Sequence, residues 1–484
     1  MTQFAAYLGI DWADKKHDLC LVDAATGHKT KLVLAHTPQA IAAYFTNLRA
    51  QYPGQLIAVA LEQSRGPLLF ALLQYDFLVL YPLNPTTLAK YREAFTPSRA
   101  KDDPTDADYA AELLMKHNDR LKAWHPDDPQ TRTLRYLVEH RRRLGGDRTR
   151  LTNRMTSLLK CYFPQVLSWF PDLATVLVAD FLLRWPALEQ LRGVKRTTLL
   201  NFFRAHHSVR TDTLEKRLAA IKESVPLTTD RAIIDSSVLM ISALAAQLKT
   251  TIAALQQFDD EIAKLCVAHP DFPLFASLPG AGAVYASRLL AVMGTQRDRW
   301  TTAAELACLS GIAPVMERSG QSVWIRWRYF CPKFMRQSFH EYAGESVKHS
   351  FWARAYYEQQ IGKGKSRQAA VRALAYKWIR IIWKCWQTRS TYNEVKYLEA
   401  LRRKGSPLLA HAVKNTACVN KSSLTRRPQM GCWTGAYIRN SRATRNNYRQ
   451  ILERFKSITF NHELSASKFH RYFSTAQELR ELLI

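Results

Sequence analysis

The sequence is poor in cysteine and pairs none of it. Its eight cysteines, at 20, 161, 266, 308, 331, 385, 418 and 432, contain no C-x-x-C. Neither a zinc site nor a disulfide scaffold is suggested, and a reducing compartment is expected. No apolar run approaches the roughly 20 residues that span a bilayer. The N-terminus also lacks a basic region followed by an apolar core, so neither secretion nor membrane insertion is expected. A working phosphate loop is missing as well. Gly364-Lys365-Ser366 ends like one, but Gln359 stands where its first glycine belongs and no strand precedes it. Gly9-Ile10-Asp11 also opens actin-like kinases, yet Trp12-Ala13-Asp14 supplies none of the Gly-Thr loop they need, so ATP use is not expected.

Acidic residues are in short supply overall, and they are unevenly placed. Against 69 Lys and Arg stand 41 Asp and Glu, a net charge of +28 over 484 residues. Residues 1–118 carry 11 basic and 12 acidic side chains, net −1, which leaves +29 for the remainder. A near-neutral module holding carboxylates is thus attached to a basic body, a division that suits metal-dependent chemistry on a polyanion.

Periodicity predicts an α/β module followed by helices. Apolar runs at Ala5–Ile10, His17–Val22, Lys29–Leu34, Leu56–Leu61 and Phe77–Pro82 read as strands. Helical spacing covers Pro38–Tyr52, Pro67–Tyr75, Pro85–Phe95 and Pro104–His117, which implies a mixed sheet with helices. Beyond Asn118 strands nearly vanish. Leucines at 137, 144, 151 and 158 repeat every seven residues, with Arg141, Arg142, Arg143, Arg148, Arg150 and Arg154 on the outer face. A second repeat, Ile234, Ile241, Leu248, Leu255 and Ile262 with Leu244, Phe258 and Leu265, predicts a coiled coil, between chains or folded back on the first. Residues 1–118, 119–270, 271–395 and 396–484 are read as an α/β domain, a helical and coiled-coil region, a mainly α-helical domain and a basic tail. In the third, Ser366–Trp386 interleaves Arg372, Lys377, Arg380 and Lys384 with Trp378, Trp383 and Trp386, a pattern that fits either base stacking or a core helix with a basic outer face.

The chemistry rests on acids from separate elements. Asp11 ends the first strand, Glu62 ends a later one, and Asp102, Asp103 and Asp106 head a helix. A carboxylate near the middle of a sheet is costly unless paired, and a divalent cation is the usual partner. Residues three or four apart share a helix face, so spacing alone leaves Asp102 and Asp103 equivalent beside Asp106. Strand Asp, strand Glu and helix Asp-x-x-Asp is the order found in RNase H-like nucleases of the RuvC type.

Taken together, Gly9-Ile10-Asp11, Leu61-Glu62, Lys101-Asp102-Asp103-Pro104-Thr105-Asp106-Ala107, Leu278-Pro279-Gly280, Gly311-Ile312-Ala313-Pro314 and Ser319-Gly320 resemble the insertion-sequence one-ten family of DEDD transposases over roughly residues 5–405. That resemblance implies a RuvC-like N-terminal domain, a C-terminal transposase domain, and Mg²⁺ held by Asp11, Glu62, Asp103 and Asp106, with Asp102 in the place of the family's usual Thr. It also implies a nucleophilic serine just before a glycine, here Ser319. Ser310, likewise before a glycine, lies in an apolar stretch and reads as structural. Donor and target DNA, a structured guide RNA, a dimeric or tetrameric assembly with composite sites, and a cytoplasmic location at the nucleoid follow from the same resemblance. The sequence departs from the family at Cys331-Pro332-Lys333-Phe334-Met335-Arg336, where a Gly-Asn or Gly-Asp pair before Leu-Arg is usual. The rival readings are a junction-cleaving nuclease, which has no use for the serine domain, and a non-catalytic nucleic-acid scaffold, which leaves the acids unmotivated.

Overall fold

A computed structural model describes residues 3–62, 66–95 and 103–408, with the side chain of Asp103 excepted. The basic break at 97–101, Asp102 and the tail expected from 412 onward lie outside the described residues. The chain divides into two units, 1–127 and 128–484.

The first unit is built on a five-stranded sheet in the order β3-β2-β1-β4-β5. Its strands are β1 (Ala6–Trp12), β2 (Lys16–Asp23), β3 (Lys29–Ala35), β4 (Ile57–Leu61) and β5 (Leu78–Pro82). The first three form an antiparallel meander, whereas β4 and β5 run parallel to β1. The parallel strands are reached by helical crossovers, as parallel pairing requires: α1 (Pro38–Gln51) and α2 (Pro67–Leu72), with α3 (Pro85–Phe95) and α4 (Asp103–His117) following β5. Thr37 caps α1 by accepting from the Ala40 amide, and Pro38 opens it. Residues 57–61 of β4 are buried throughout, as a central strand covered on both faces must be. Leu8, Ile10, Val59 and Leu61 pack with Phe45 and Leu48 of α1 on one face. Ala58 and Ala60 meet Ala110, Leu113 and Leu114 of α4 on the other.

In the second unit two long helices, α5 (Pro129–Tyr162) and α11 (Arg231–Ala268), pack against one another. Between them lie α6 (Gln165–Trp169), α7 (Val176–Arg184), α8 (Leu188–Arg192), α9 (Arg196–Ala205) and α10 (Thr211–Lys222). The pair is antiparallel: the start of α5 (Leu134, Val138) shares a core with the end of α11 (Ile262, Cys266), and the end of α5 (Leu151, Met155, Leu159) shares another with Ile234, Ile241 and Leu248. Arg141 clamps Asp259 across the pair with two hydrogen bonds, 2.7 and 2.9 Å. Of the two arrangements open to the second repeat, folding back within the chain is the one seen.

In the repeat of α11 Ile234, Ile241, Leu244, Leu248, Leu255 and Ile262 are buried, while Phe258 and Leu265 are half-buried. That of α5 is displaced: Leu134, Val138, Gly145, Leu151, Met155 and Leu159 are buried, while Leu137, Leu144 and Leu158 are only half so. The reason is that α5 packs against a later helix, α13 (Gly282–Met293), as well as α11, so its covered face is wider than a two-helix seam. By length and composition α11 would pass for a membrane span. Its buried stripe instead faces protein, as in a core helix.

The rest comprises α12 (Phe272–Ala276), α13 (Gly282–Met293), α14 (Ala303–Leu309), β6 (Val315–Ser319), β7 (Ser322–Arg326), α15 (Lys333–Ser346), α16 (Phe351–Gly362), α17 (Arg367–Gln387) and α18 (Glu394–Arg403). The β6-β7 hairpin was not expected from sequence; its strands are short and its large side chains exposed, so no alternating pattern marks it. The tryptophans of α17 are core residues rather than a stacking platform. Trp378 and Trp386 are fully buried, their ring N–H groups donating to Ser346 Oγ and to the Gly294 carbonyl.

Candidate active site

Sheet register brings two of the predicted acids to the ends of neighbouring strands. Strands β1 and β4 are parallel and their pairing ends with Ile10 beside Leu61, so Asp11 and Glu62 are the next residue on each chain beyond the last pair. Across β1 on the other side, Asp11 pairs with Asp18 of β2. Side chains alternate along a strand, so Gly9 and Asp11 share a face, as do Ala60 and Glu62. It is the face covered by α4.

Gly9 explains how close α4 comes. A Cβ there would stand 2.0 Å from the Ala107 carbonyl oxygen and 2.6 Å from the Ala111 amide nitrogen, so only glycine lets the helix settle on β1. With Ala107, Ala110 and Ala111 facing the sheet, the two flanks of α4 are pinned by charge. Asp108 binds Lys29 at 2.6 Å and Lys31 at 2.9 Å, both on β3. Asp106, 3 % exposed, takes Arg92 Nη1 of α3 at 2.5 Å. That hydrogen bond is the main cause holding the Arg92 guanidinium above its ordinary pKa, and the field of Glu62 adds to it. Arg92 thus lies within electrostatic reach of two of the four predicted acids.

Asp11 and Glu62 are half-buried and Asp106 is buried, so none of the three faces open solvent. Asp103 is the first residue of α4, one turn before Asp106; its side chain and Asp102 lie outside what is described. An all-oxygen donor set suits a hard divalent cation in kind. In this arrangement Arg92 is the cation on Asp106, and among the described residues no three acidic, His or Cys side chains stand together as a metal cage.

Two members of this site escaped the sequence reading. Asp18 is buried at 5 % exposure opposite Asp11, and an acid inside an apolar strand was the available signal. Arg92 carried none, because its role depends on where α3 docks.

In the second unit Ser319 ends β6 and pairs with Ser322 across the two-residue turn Gly320-Gln321. Gly320 has φ +57°, the positive value that a type II′ hairpin turn demands of its first central residue. The glycine after the serine is therefore explained by the turn, which presents Ser319 to solvent. Ser310 is different: it is fully buried and donates to the Ala307 carbonyl. Gly311 behind it has φ +70°, and a Cβ there would meet Cys331 Sγ at 2.4 Å. Gly280, with φ +74°, likewise admits the His349 ring to within 2.5 Å of where a Cβ would be. These two glycines of the short motifs are close-packing positions.

Residues 8–164 match the model of the IS110 DEDD transposases, described as a transposase, and residues 273–358 match that of the IS116/IS110/IS902 transposase family. A Streptomyces coelicolor protein provisionally named as a mini-circle transposase for IS117 is 28 % identical over 409 residues, covering 80 % of this chain and 95 % of the relative. The insertion element IS110 43.6 kDa protein of the same species is 24 % identical over 388 residues, 78 % and 92 % of the two chains. The insertion element IS116 44.8 kDa protein of Streptomyces clavuligerus is 26 % identical over 291 residues, 58 % and 70 %. The chain belongs to the IS110 family of DEDD transposases.

Proposed function

We propose that this transposase cuts and rejoins DNA with two groups acting on one phosphodiester: the carboxylates Asp11, Glu62, Asp103 and Asp106, and the hydroxyl of Ser319. What supports the reading is that Asp11 and Glu62 follow the last paired residues of neighbouring strands β1 and β4, that Gly9 lets α4 settle on β1, and that Arg92 carries the fields of both Asp106 and Glu62. Acids drawn from two strands and a helix are what a phosphodiester-cleaving metal site collects, and a family of DNA transposases supplies the substrate.

The four carboxylates would hold Mg²⁺, with Asp106 exchanging Arg92 for the metal. Bound there, the metal would neutralise charge at the scissile phosphate and lower the pKa of an attacking oxygen. Ser319 loses its hydroxyl proton and its Oγ bonds to phosphorus as the 3′ or 5′ oxygen of the cut strand departs and takes up a proton. A serine alone is a weak nucleophile, so it needs this assistance. Following the resemblance, the serine of one copy works with the carboxylates of another, and a structured RNA from the element selects donor and target DNA. The body's charge, +29 outside the first 118 residues, suits both nucleic acids.

The test incubates purified protein, the element's flanking RNA and paired DNA substrates. Joined product and a denaturant-resistant protein–DNA adduct are expected for wild type; Ser319→Ala should give neither, and Asp11→Asn should give no cleavage. Recombination by Ser319→Ala at the wild-type rate would remove the nucleophile assignment.

A further inference from the structure

Below the Ser319 hairpin the chain collects positive charge that no described acid balances. Trp327 directly follows β7. The guanidinium carbon of Arg372, on α17, lies 3.3 Å from the centroid of a Trp327 ring, and that of Arg336, on α15, lies 5.2 Å from it. Arg336 also donates to the Arg328 carbonyl at 3.3 Å, tying the exit of the hairpin to α15. His340, one turn beyond Arg336, donates from Nε2 to Gln368 Oε1 at 2.7 Å.

Among the described residues none of Arg328, Arg336 and Arg372 has an ion pair. Glu341, whose field reaches His340, already holds Arg288 at 2.5 Å. The Nε atoms of Arg328 and Arg372 are buried without a hydrogen-bond partner. Burial, followed by repulsion from Arg336, lowers the pKa of Arg372; His340 is lowered chiefly by burial, with the same two arginines contributing. Like charges crowded on one indole with unmet donors are costly in isolation, and an arriving anion offsets that cost. The donors are guanidinium forks, whose planar geometry matches a phosphate bidentately, and the indole holds them without competing for their hydrogen bonds.

We propose that Arg336 and Arg372, mounted on Trp327 with Arg328 beside them, form a clamp for a backbone phosphate of the DNA strand that reaches Ser319. The clamp stands on Trp327 at the base of the hairpin and Ser319 at its tip, opposite Ser322, five residue steps along the chain from Trp327. At about 3.4 Å per residue the separation is about 17 Å, or about five base-pair steps of 3.4 Å. One strand can therefore lie along the hairpin and meet both ends. The choice of DNA rests on the reading of Ser319 above; the phosphate chemistry does not.

Binding of the full-length protein to a short labelled DNA duplex, followed by fluorescence anisotropy across a salt series, tests the clamp without requiring strand transfer. Arg336→Gln and Arg372→Gln are expected to weaken binding on every sequence and to make the slope of log K against log salt shallower by roughly one unit each. Arg336→Lys and Arg372→Lys should retain the slope. Loss of the nucleophile is read as loss of the protein–DNA adduct and loss of the clamp as a change in the salt slope, so the two are read separately. Arg196→Gln, which breaks an exposed pair with Glu215, should leave the slope unchanged. An unchanged slope in both glutamine variants, each folded by circular dichroism, would overturn the proposal. So would a loss confined to an RNA probe of equal length, or an equal loss in Arg196→Gln.

Discussion

Gly9 of β1 and Ala107 of α4 are so close that a Cβ on the first would stand 2.0 Å from the carbonyl oxygen of the second. The neighbour is backbone, which cannot rotate aside, so the helix itself has to lift. Gly9→Ala is expected to cost at least the 1–3 kcal/mol or so typical of overpacking. Because α4 carries Asp106, its displacement should abolish DNA cleavage even in protein that remains folded. Urea denaturation followed by circular dichroism measures the first effect and a cleavage assay the second. Wild-type stability in Gly9→Ala would show that the helix gives way without cost.

Asp106 and Arg92 form a pair with little solvent, their side chains 4 % and 16 % exposed. Removing one charge from such a pair strands the other, typically at about 3–5 kcal/mol, whereas replacing both with apolar groups is often neutral. Asp106→Ala should therefore destabilise the first unit strongly, and Arg92→Leu similarly. The double variant Asp106→Leu/Arg92→Leu should recover most of the loss. A double-mutant cycle in urea measures this, and additive losses would mean that the two charges do not depend on each other.

Much of the first unit was legible because its signals are local. Five apolar runs and their flanking helices lie within a residue or three of the observed elements, as strands with buried faces and helices opened by Pro38, Pro67 and Pro85 should. The acids Asp11, Glu62 and Asp106 could be found in the chain, but what holds them could not. Arg92 reaches Asp106 through the docking of α3, and Asp18 faces Asp11 through strand register, both tertiary outcomes. The α17 tryptophans illustrate the same limit. Their alternation with basic residues fits base stacking and core packing equally, and only the partners of Trp378 and Trp386, Ser346 and Gly294, decide for the core. The β6-β7 hairpin stayed hidden because a strand exposed along its length has no buried face to write into its sequence.

His17 of β2 supplies a pH dependence. It is fully buried, meets His36 Nδ1 with its Nε2 at 2.8 Å, and has its pKa pushed down to about 4, first by burial and then by His36. An unfolded His takes up its proton near pH 6.5. Between pH 6.5 and about 4 the unfolded chain therefore binds a proton that the folded chain refuses, and this contribution to stability is lost as pH falls through that window. Urea midpoints across this range should fall more steeply for wild type than for His17→Phe, which has nothing to titrate. Parallel pH profiles would show that His17 is protonated in place without penalty.

Ser319 and Gly320 should separate chemistry from fold. Ser319 is exposed, so Ser319→Ala is expected to leave the urea midpoint unchanged while lowering strand transfer by about 10³-fold or more, the scale of losing a nucleophile. Gly320 has φ +57° and open space around its missing Cβ, so Gly320→Ala meets no clash. It pays only the left-handed strain of about 1–2 kcal/mol, confined to a two-stranded hairpin outside the buried core. The turn should loosen, Ser319 should lose its fixed approach, and strand transfer should fall by an intermediate factor while global stability falls by no more than that strain. Measuring product formation and urea midpoints for both variants decides the point. If Gly320→Ala transfers strands at the wild-type rate, the geometry of the turn is not what positions the serine.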